Sequence, residues 1–147
     1  MALPVCAATK PAVRSMANSS TEFALDMYQA LRGTKGNLFF SPFSIYTCLS
    51  MAYAGARGET EKQMATVLHS QYSQESFHRS LYDLRTTLRQ SISPSVAVKS
   101  ANSMWIQEGI PLEPAFERLL ERDYLAAPLA ADFQGSRQEA CALINNW

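Results

Sequence analysis

The sequence predicts an α+β fold of about six helices and two or three strands, organised around one apolar central helix. Apolar residues recur at helical spacing in several segments, and the period changes to a non-helical one after Ser95. From Phe43 to Ala54 the only polar side chains are those of Ser44, Thr47 and Ser50 and of two tyrosines. The whole chain has 147 residues and 47% hydrophobic content, which are sufficient for one domain with a hydrophobic core.

The central helix has a recognisable start and stop. Leu38–Phe40 is a short apolar run that predicts a buried strand. Ser41 then offers a hydroxyl to the backbone N–H of Ser44, and Pro42 suits the first helical position because it lacks an N–H. A helix that is apolar nearly all round is expected to be buried, and Gly55 is expected to end it. Its polar side chains, apart from two tyrosines, are Ser44, Thr47 and Ser50, whose hydroxyls can bond back to carbonyls one turn earlier.

The other N-terminal helices are predicted from capping boxes and apolar spacing. After a flexible tail over residues 1–17, Ser19–Glu22 has the spacing of a capping box and begins the first helix, which Gly33 and Gly36 end. Thr60–Gln63 is a second such box, and we expect Met64, Val67 and Leu68 to form the buried face behind it. A further helix begins near Gln74, and we expect one buried face along it, with His78 on its polar side. That buried face consists of Phe77, Leu81, Leu84 and Leu88.

The C-terminal part alternates between predicted strands and helices. Val96–Ile106 favours a long strand covered on both faces, since its alternation is imperfect. Phe116–Tyr124 predicts a helix, and Ala126–Phe133 predicts an edge strand because it contains Pro128. A capping box at Ser136–Glu139 begins a last helix, inside which the chain stops.

Composition argues against several function classes. Thirteen basic and thirteen acidic residues give a net charge of zero, so neither nucleic acid nor an anionic membrane is an expected partner. No apolar run has the length of a membrane span. Three scattered cysteines are too few for a disulfide framework or a metal site and predict buried or incidental thiols. These are Cys6, Cys48 and Cys141.

Enzymatic chemistry finds no support in the motifs. His69 and His78 are the only histidines, and neither lies near a G-x-S-x-G elbow, which is absent. Glycine-rich phosphate loops are absent too. We therefore expect no catalytic residue, no cofactor and no metal. The N-terminus lacks the basic region of a signal peptide, and Asn18–Ser20 is a glycosylation sequon, so export is left open.

The residues from Asn37 to Ile45, N-L-F-F-S-P-F-S-I, closely resemble the N-x-F-x-S-P-x-S-I signature of the serpins. The likeness continues through Leu49–Thr60 and reaches the final Ile144–Trp147. It covers residues 18–147 without an obvious gap. The resemblance implies the N-terminal portion of a serpin domain, incomplete at its C-terminus.

What the resemblance implies for the fold is a truncated serpin: helices A to F, strands 1 and 2 of sheet A, and one strand of sheet B. It also implies a site. In serpins, the positions matching Asn37, Ser41, Pro42 and Ser44 belong to the shutter, beneath the place where sheet A separates to admit another strand. A buried hydroxyl that changes partners as the sheet opens is a plausible switch component.

The resemblance further implies a serine-type endopeptidase inhibitor that acts as a suicide substrate on a serine or cysteine protease. That mechanism uses a reactive-centre loop, which is absent from this chain, so we expect no inhibition by the chain alone. A non-inhibitory serpin acting in binding or chaperoning and a truncated product without independent function are the alternatives. The family default is extracellular, with a cytoplasmic location as the alternative.

Three arginines occupy the helix that binds heparin in some serpins. Arg79, Arg85 and Arg89 fall at successive rotations of about 240° and then about 40° around a helix, so they do not make one compact patch. Acidic Glu75 and Asp83 lie on the same segment. A weak glycosaminoglycan contact is therefore a minor alternative, and a glycosaminoglycan partner is not expected.

Overall fold

The computed structural model describes residues 11–93, 95–96 and 100–147. The chain divides into two compact units, Met1–Val98 and Lys99–Trp147. The first unit contains four helices in its described part, and the second contains two strands, two helices and a π turn. No helix in the described ranges is long and apolar enough to cross a membrane.

The first unit consists of helices α1 to α4, with bounds Pro11–Leu31, Pro42–Gly55, Gly58–Val67 and Gln74–Ser91. Helix α1 begins earlier than predicted, so residues 11–17 of the expected tail are helical, while residues 1–10 lie outside the description. Val13 and Met16 are buried, which extends the apolar face upstream. The predicted cap at Ser19 is therefore wrong: this residue lies mid-helix, and its hydroxyl donates to the carbonyl of His69 at 2.8 Å.

Aromatic rings join α1, α2 and α4 in the core of this unit. Tyr46 on α2 lies between Phe23 on α1 and Phe77 on α4, with ring centroids 5.3 and 6.1 Å away. Phe77 also meets Tyr53 edge to face at 5.2 Å. Such pairs stabilise a core beyond the apolar area that they bury. These rings therefore hold three helices together.

Helix α4 begins where the sequence predicts, but two of its side chains differ from the prediction. It begins at Gln74 as expected, and Phe77, Leu81 and Leu84 are buried, whereas Leu88 is 46% exposed. His78, expected on the polar side, is fully buried. Its ring packs against those of Tyr53 and Phe77, at centroid distances of 5.6 and 5.3 Å, so it belongs to the aromatic core.

Side chains also tie the end of α2 to the start of α4. The Arg57 guanidinium donates to the carbonyls of Ala54 and Ala56 and to the side-chain oxygen of Gln74. Gln74 in turn donates to the carbonyls of Tyr53 and Ala56. These bonds satisfy the carbonyls that the end of α2 leaves without helical partners. Gly55 is the last helical residue, and Ala56 rather than a left-handed glycine follows it.

Helix α3 starts at Gly58, before the predicted box at Thr60, and Arg57 precedes it without a side-chain cap. None of its own residues is fully buried. Leu68, directly after the helix, is buried, whereas Val67 is exposed. The predicted buried face is therefore limited to the helix end.

Leu38–Phe40 does not form the predicted strand. These residues have no regular structure, and Phe39 is 100% exposed. A strand needs a neighbour for its backbone groups, and in the described part of the chain none pairs with this run. The strand of sheet B that the resemblance implied is accordingly not formed.

The second unit contains β1 and β2, Met104–Gln107 and Pro128–Ala131, with α5 over Pro114–Leu119 and α6 over Arg137–Asn146. The strands are parallel. Because the sheet has two strands in the described part of the chain, each strand is an edge there, which confirms the edge position predicted for Pro128. The long strand predicted from Val96 is shorter: residues 97–99 lie outside the description, and 100–103 are irregular.

Helix α5 continues directly into a π turn at Leu120–Tyr124, where the sequence predicts ordinary helix. Leu125 ends it with a left-handed φ of 56°, an unusual conformation for a residue other than glycine.

The Asp123 side chain is fully buried, and Arg122 donates to both of its carboxylate oxygens, at 2.9 and 2.6 Å. A buried carboxylate requires such charged partners.

Candidate functional site at the start of helix α2

The first turn of α2 is capped as predicted. Ser41 has an extended backbone, and its hydroxyl accepts a hydrogen bond from the Ser44 N–H at 3.3 Å. Pro42 occupies the first turn. The hydroxyls of Ser41 and Ser44 also lie 2.9 Å apart and share a hydrogen bond. Both serines are exposed, so the expected burial of the Ser44 hydroxyl is wrong for this chain.

Helix α2 is buried on one side only. Tyr46, Ser50 and Met51 are buried, but Ser44, Cys48 and Ala52 are exposed at intervals of four along the opposite face. The prediction of burial all round is therefore wrong for the described structure. Apolar composition alone cannot tell a helix covered on every side from one whose second face has no neighbour within the described residues.

The polar side chains on the buried face of α2 have internal partners. Thr47 donates to the Phe43 carbonyl at 2.9 Å, and Ser50 donates to the Tyr46 carbonyl at 2.7 Å, which confirms the predicted back-bonding. The Tyr46 hydroxyl donates to the carbonyl of Leu68 at 3.0 Å. Burial raises the pKa of Tyr46 above its ordinary value, so this hydroxyl remains a neutral donor.

Asn37 is not joined to the serine pair. It is exposed, in a segment without regular structure, and among the residues that the structure describes no hydrogen bond links it to Ser41 or Ser44. The shutter role of Asn37, Ser41, Pro42 and Ser44 therefore stays a prediction, although the capping by Ser41 is confirmed.

The arginines of α4 are also located. The Arg79 guanidinium lies 4.9 Å from the centre of the Tyr82 ring and 3.9 Å from the Asp83 carboxylate. Arg89 is exposed in the last turn, and Arg85 is half-buried. Arg79 is thus engaged by its own helix, and the glycosaminoglycan contact stays an untested alternative.

A polar cluster that the sequence does not indicate surrounds His69. The ring nitrogens of His69 lie 2.8 Å from the Asp26 carboxylate and 3.3 Å from the Glu22 carboxylate, and the backbone φ of His69 is 50°. Although Ser19 lies nearby, its hydroxyl donates to the His69 carbonyl rather than to the ring, which is not the arrangement of a serine nucleophile and its base. These partners are 43 to 50 positions apart, so no local pattern could have indicated them.

Cys48 and Cys141 are free and exposed, so the buried alternative is wrong for both, and Cys6 lies outside the described residues. Within the ranges that the structure covers, no group of three His, Cys, Asp or Glu side chains could hold a metal ion.

The fold and the capped start of α2 can be compared with known proteins. Residues 18–147 match the family model described as "Serpin (serine protease inhibitor)". The chain belongs to the serpin family. Serpins are protease inhibitors as a family, which agrees with the resemblance noted in the sequence.

Proteins similar to this serpin chain occur in animals and in Thermococcus kodakarensis. It is 35% identical to an uncharacterized serpin-like protein of Thermococcus kodakarensis, over 91% of this chain and 32% of that protein. It is 36% identical to Iris of Ixodes ricinus, and 31% identical to the leukocyte elastase inhibitor of Sus scrofa. Those two alignments cover 90% and 92% of this chain and 36% of each relative. The chain therefore spans about a third of the relatives that it matches.

Solved serpin structures share the fold. A structure titled "Cleaved Serpin 42Da" superposes with a TM-score of 0.81 at 32% identity, covering 92% of this chain and 36% of that one. Emu ovalbumin (Dromaius novaehollandiae) gives 0.79 at 28% identity, covering 90% of this chain and 38% of its own. The architecture is that of a truncated serpin, with the corrections described above.

Replacing Ser41 by alanine tests the cap. The change removes the acceptor of the Ser44 N–H, and a lost N-cap costs about 1 kcal/mol of the free energy of unfolding. Urea denaturation measures the change. Ser73→Ala is the matched control, because Ser73 precedes α4 without a side-chain cap bond. Equal losses in the two variants would contradict the assignment.

Proposed function

We propose that this chain forms the N-terminal third of a serpin that inhibits a serine-type endopeptidase. Support comes from the family assignment over residues 18–147 and from the leukocyte elastase inhibitor of Sus scrofa, which is 31% identical. In this proposal, the parent protein carries the reactive-centre loop in its C-terminal part. A protease attacks that loop and is trapped as an acyl-enzyme while the loop inserts into sheet A.

The observation that carries the proposal is the serine pair at the start of α2. Its two hydroxyls share one hydrogen bond and are both exposed, so each retains capacity for a further partner. The exposed residues that follow on the same face of α2, Cys48 and Ala52, have small side chains, which permit close approach of a covering strand. We propose that sheet A of the parent covers this face, and that Ser41 and Ser44 exchange partners when the sheet opens.

Within the same proposal, Asn37 approaches the serine pair only when the segment around it pairs with strands of the parent. Its present exposure and that of Phe39 are consistent with a run that has no strand neighbour among the described residues. Pro42 contributes by fixing the first turn, since its ring restricts φ to a helical value.

A non-inhibitory serpin is the second candidate. The features that would separate the two candidates belong to the reactive-centre loop. A truncated product without its own function is a third possibility, and an extracellular location is proposed over a cytoplasmic one as the family default.

The test of inhibition compares the 147-residue chain with a longer chain translated through the downstream codons. Each is mixed with trypsin-, chymotrypsin- and elastase-like serine proteases and with a papain-like cysteine protease. We expect no covalent complex that survives boiling in detergent for the 147-residue chain, because it offers only two strands to an inserting loop in its described part. We expect such a complex for the longer chain.

Either reverse result is decisive. A detergent-stable complex of the 147-residue chain would overturn the requirement for the missing part. A folded longer chain that is cleaved by these proteases without forming any complex would overturn the inhibitory proposal in favour of the non-inhibitory alternative.

A further inference from the structure

The connection between α1 and α2, residues 32–41, lies almost entirely in solvent. All of its residues except Phe40 are exposed, and Phe40 is half-buried. Its first half forms turns and bends, whereas residues 37–41 have no regular structure. Ser41 at the end of this second half is extended, with a φ of −109° and a ψ of 99°. A short non-helical run, residues 37–41, is therefore displayed on the surface of the first unit.

The backbone of residues 37–40 is open to a partner. Within the ranges that the structure describes, no backbone hydrogen bond involves these residues, and none of them belongs to the two-stranded sheet. Such a segment can be bound in extended form along another protein, because its N–H and C=O groups supply main-chain hydrogen bonds. Pockets on the partner then receive alternate side chains, since successive residues of an extended chain point to opposite faces. The run therefore has the form of an extended peptide ligand.

One side chain of the run is suited to an apolar pocket. Phe39 is 100% exposed, so its whole ring is available to a partner. Tyr28 is a contrasting case, because it is 51% exposed but lies within α1, whose backbone groups are engaged in helical hydrogen bonds. A chymotrypsin-like serine protease takes the aromatic side chain that precedes the scissile bond into an apolar pocket. Phe39 offers both the ring and an open backbone, whereas Tyr28 offers the ring alone.

We propose that the bond between Phe39 and Phe40 is a cleavage site for a chymotrypsin-like serine protease, and that the two pieces stay associated after the cut. The protease serine attacks the Phe39 carbonyl carbon, and the Phe40 nitrogen leaves with a proton from the protease histidine. Water then hydrolyses the resulting ester, so that Phe39 ends in a carboxylate and Phe40 begins with an amino group. No covalent complex remains, which separates this cut from the trapping of a protease by a longer chain.

Contacts away from the connection hold the two pieces together. The piece that ends at Phe39 contains α1, where the Phe23 ring lies 5.3 Å from that of Tyr46 on α2. The Ser19 hydroxyl of the same piece donates to the His69 carbonyl at 2.8 Å. Neither contact uses the connection, so cutting it removes a covalent link and leaves the packing of α1 in place.

Limited digestion of the 147-residue chain with chymotrypsin, at low chain concentration, tests the site. The first cut, located by mass spectrometry, should follow Phe39 and should be about a thousandfold or more faster than cuts after the buried Tyr46 and Phe77. Those two bonds become accessible when the unit unfolds, and a folded domain is unfolded in only about one molecule in 10³ or fewer. Equal rates at the three bonds would mean that cleavage follows unfolding, which would overturn the proposal.

Variants test the aromatic side chain itself. Phe39→Ala should slow cleavage of this bond by about tenfold or more, since a single methylene in an apolar pocket is already worth about that much, and Phe39→Tyr should retain fast cleavage. The fold should survive both changes because the side chain is fully exposed. Tyr28→Ala, which removes another exposed aromatic ring, is the matched control and should leave the rate unchanged. An undiminished rate in Phe39→Ala would rule the proposal out.

Trypsin distinguishes a suitable backbone from simple exposure. Lys35 is exposed in the same connection but precedes Gly36, whose φ of 99° lies outside the extended region. Relative to a peptide of residues 30–45, trypsin should cut the chain after Lys35 more slowly than chymotrypsin cuts it after Phe39. The reverse order would show that exposure alone governs cleavage, and the specific site would be lost.

Size-exclusion chromatography tests the second half of the proposal. The cut chain should elute as one peak that contains residues 1–39 and 40–147, with its helix content by circular dichroism retained. Uncut chain passed over the same column is the control. Separation of the two pieces without denaturant would contradict the association inferred from the contacts of α1.

Discussion

Phe77→Ala is expected to lower the free energy of unfolding of the first unit by about 3–5 kcal/mol, the range for a large aromatic removed from a core. The side chain is 0% exposed and its ring contacts those of Tyr46, Tyr53 and His78. Removing it deletes apolar contacts on two helices and leaves a cavity between them. Because domains are stable by only about 5–15 kcal/mol, urea denaturation should show a large loss.

Phe39→Ala is the matched control for that experiment. It makes the same chemical change at a side chain that is 100% exposed, and such surface substitutions usually alter stability by less than about 0.5 kcal/mol. A loss at Phe39 as large as the loss at Phe77 would show that the aromatic core has been placed wrongly.

The 147-residue chain is expected to self-associate as its concentration rises. Each of its two parallel strands has one unpaired edge in the described sheet, and parallel sheets are ordinarily covered on both faces. Leu38 and Phe39 add exposed apolar surface in the first unit. Analytical ultracentrifugation across a wide concentration range should therefore show a rising average mass.

Paired surface variants identify the source of the association. The double substitution Leu38→Ser and Phe39→Ser should shift association to higher concentration, whereas Thr34→Ser, which removes only one methyl group, should leave it nearly unchanged. A single monomer mass at every concentration, with one cooperative unfolding transition, would contradict the expectation.

Local signals in the sequence predicted the start of α2 well. A serine followed by proline and then by an apolar helix specifies a cap through atoms three residues apart, and the Ser41–Ser44 bond lies where that spacing placed it. The start of α4 at Gln74 and the edge position of Pro128 were likewise readable from neighbouring residues.

Contacts between distant segments were not readable in this way. The capping-box spacing at Ser19 is real, but burial of Val13 and Met16 extended α1 past it. The apolar spacing of α4 predicts His78 outside the face formed by Phe77 and Leu88, whereas the tertiary packing around Tyr53 makes the position a core one. The hydrogen bond between the Gln107 side chain and the Asp132 carboxylate joins residues 25 positions apart, so no local pattern could indicate it.

The internal hydroxyl bonds of α2 bear on how freely this helix can exchange neighbours. Thr47 and Ser50 take their partners from their own helix, at Phe43 and Tyr46, so neither requires a polar atom from a facing element. A neighbouring element can therefore move along these two positions, or away from them, without leaving the Thr47 or Ser50 hydroxyl unbonded in an apolar environment. Because both hydroxyls are hydrogen-bonded within the helix, these two positions behave toward a neighbouring element as apolar residues would. A neighbouring element could consequently move past Thr47 and Ser50 without breaking a hydrogen bond, whereas the Tyr46 hydroxyl would lose its bond to the Leu68 carbonyl.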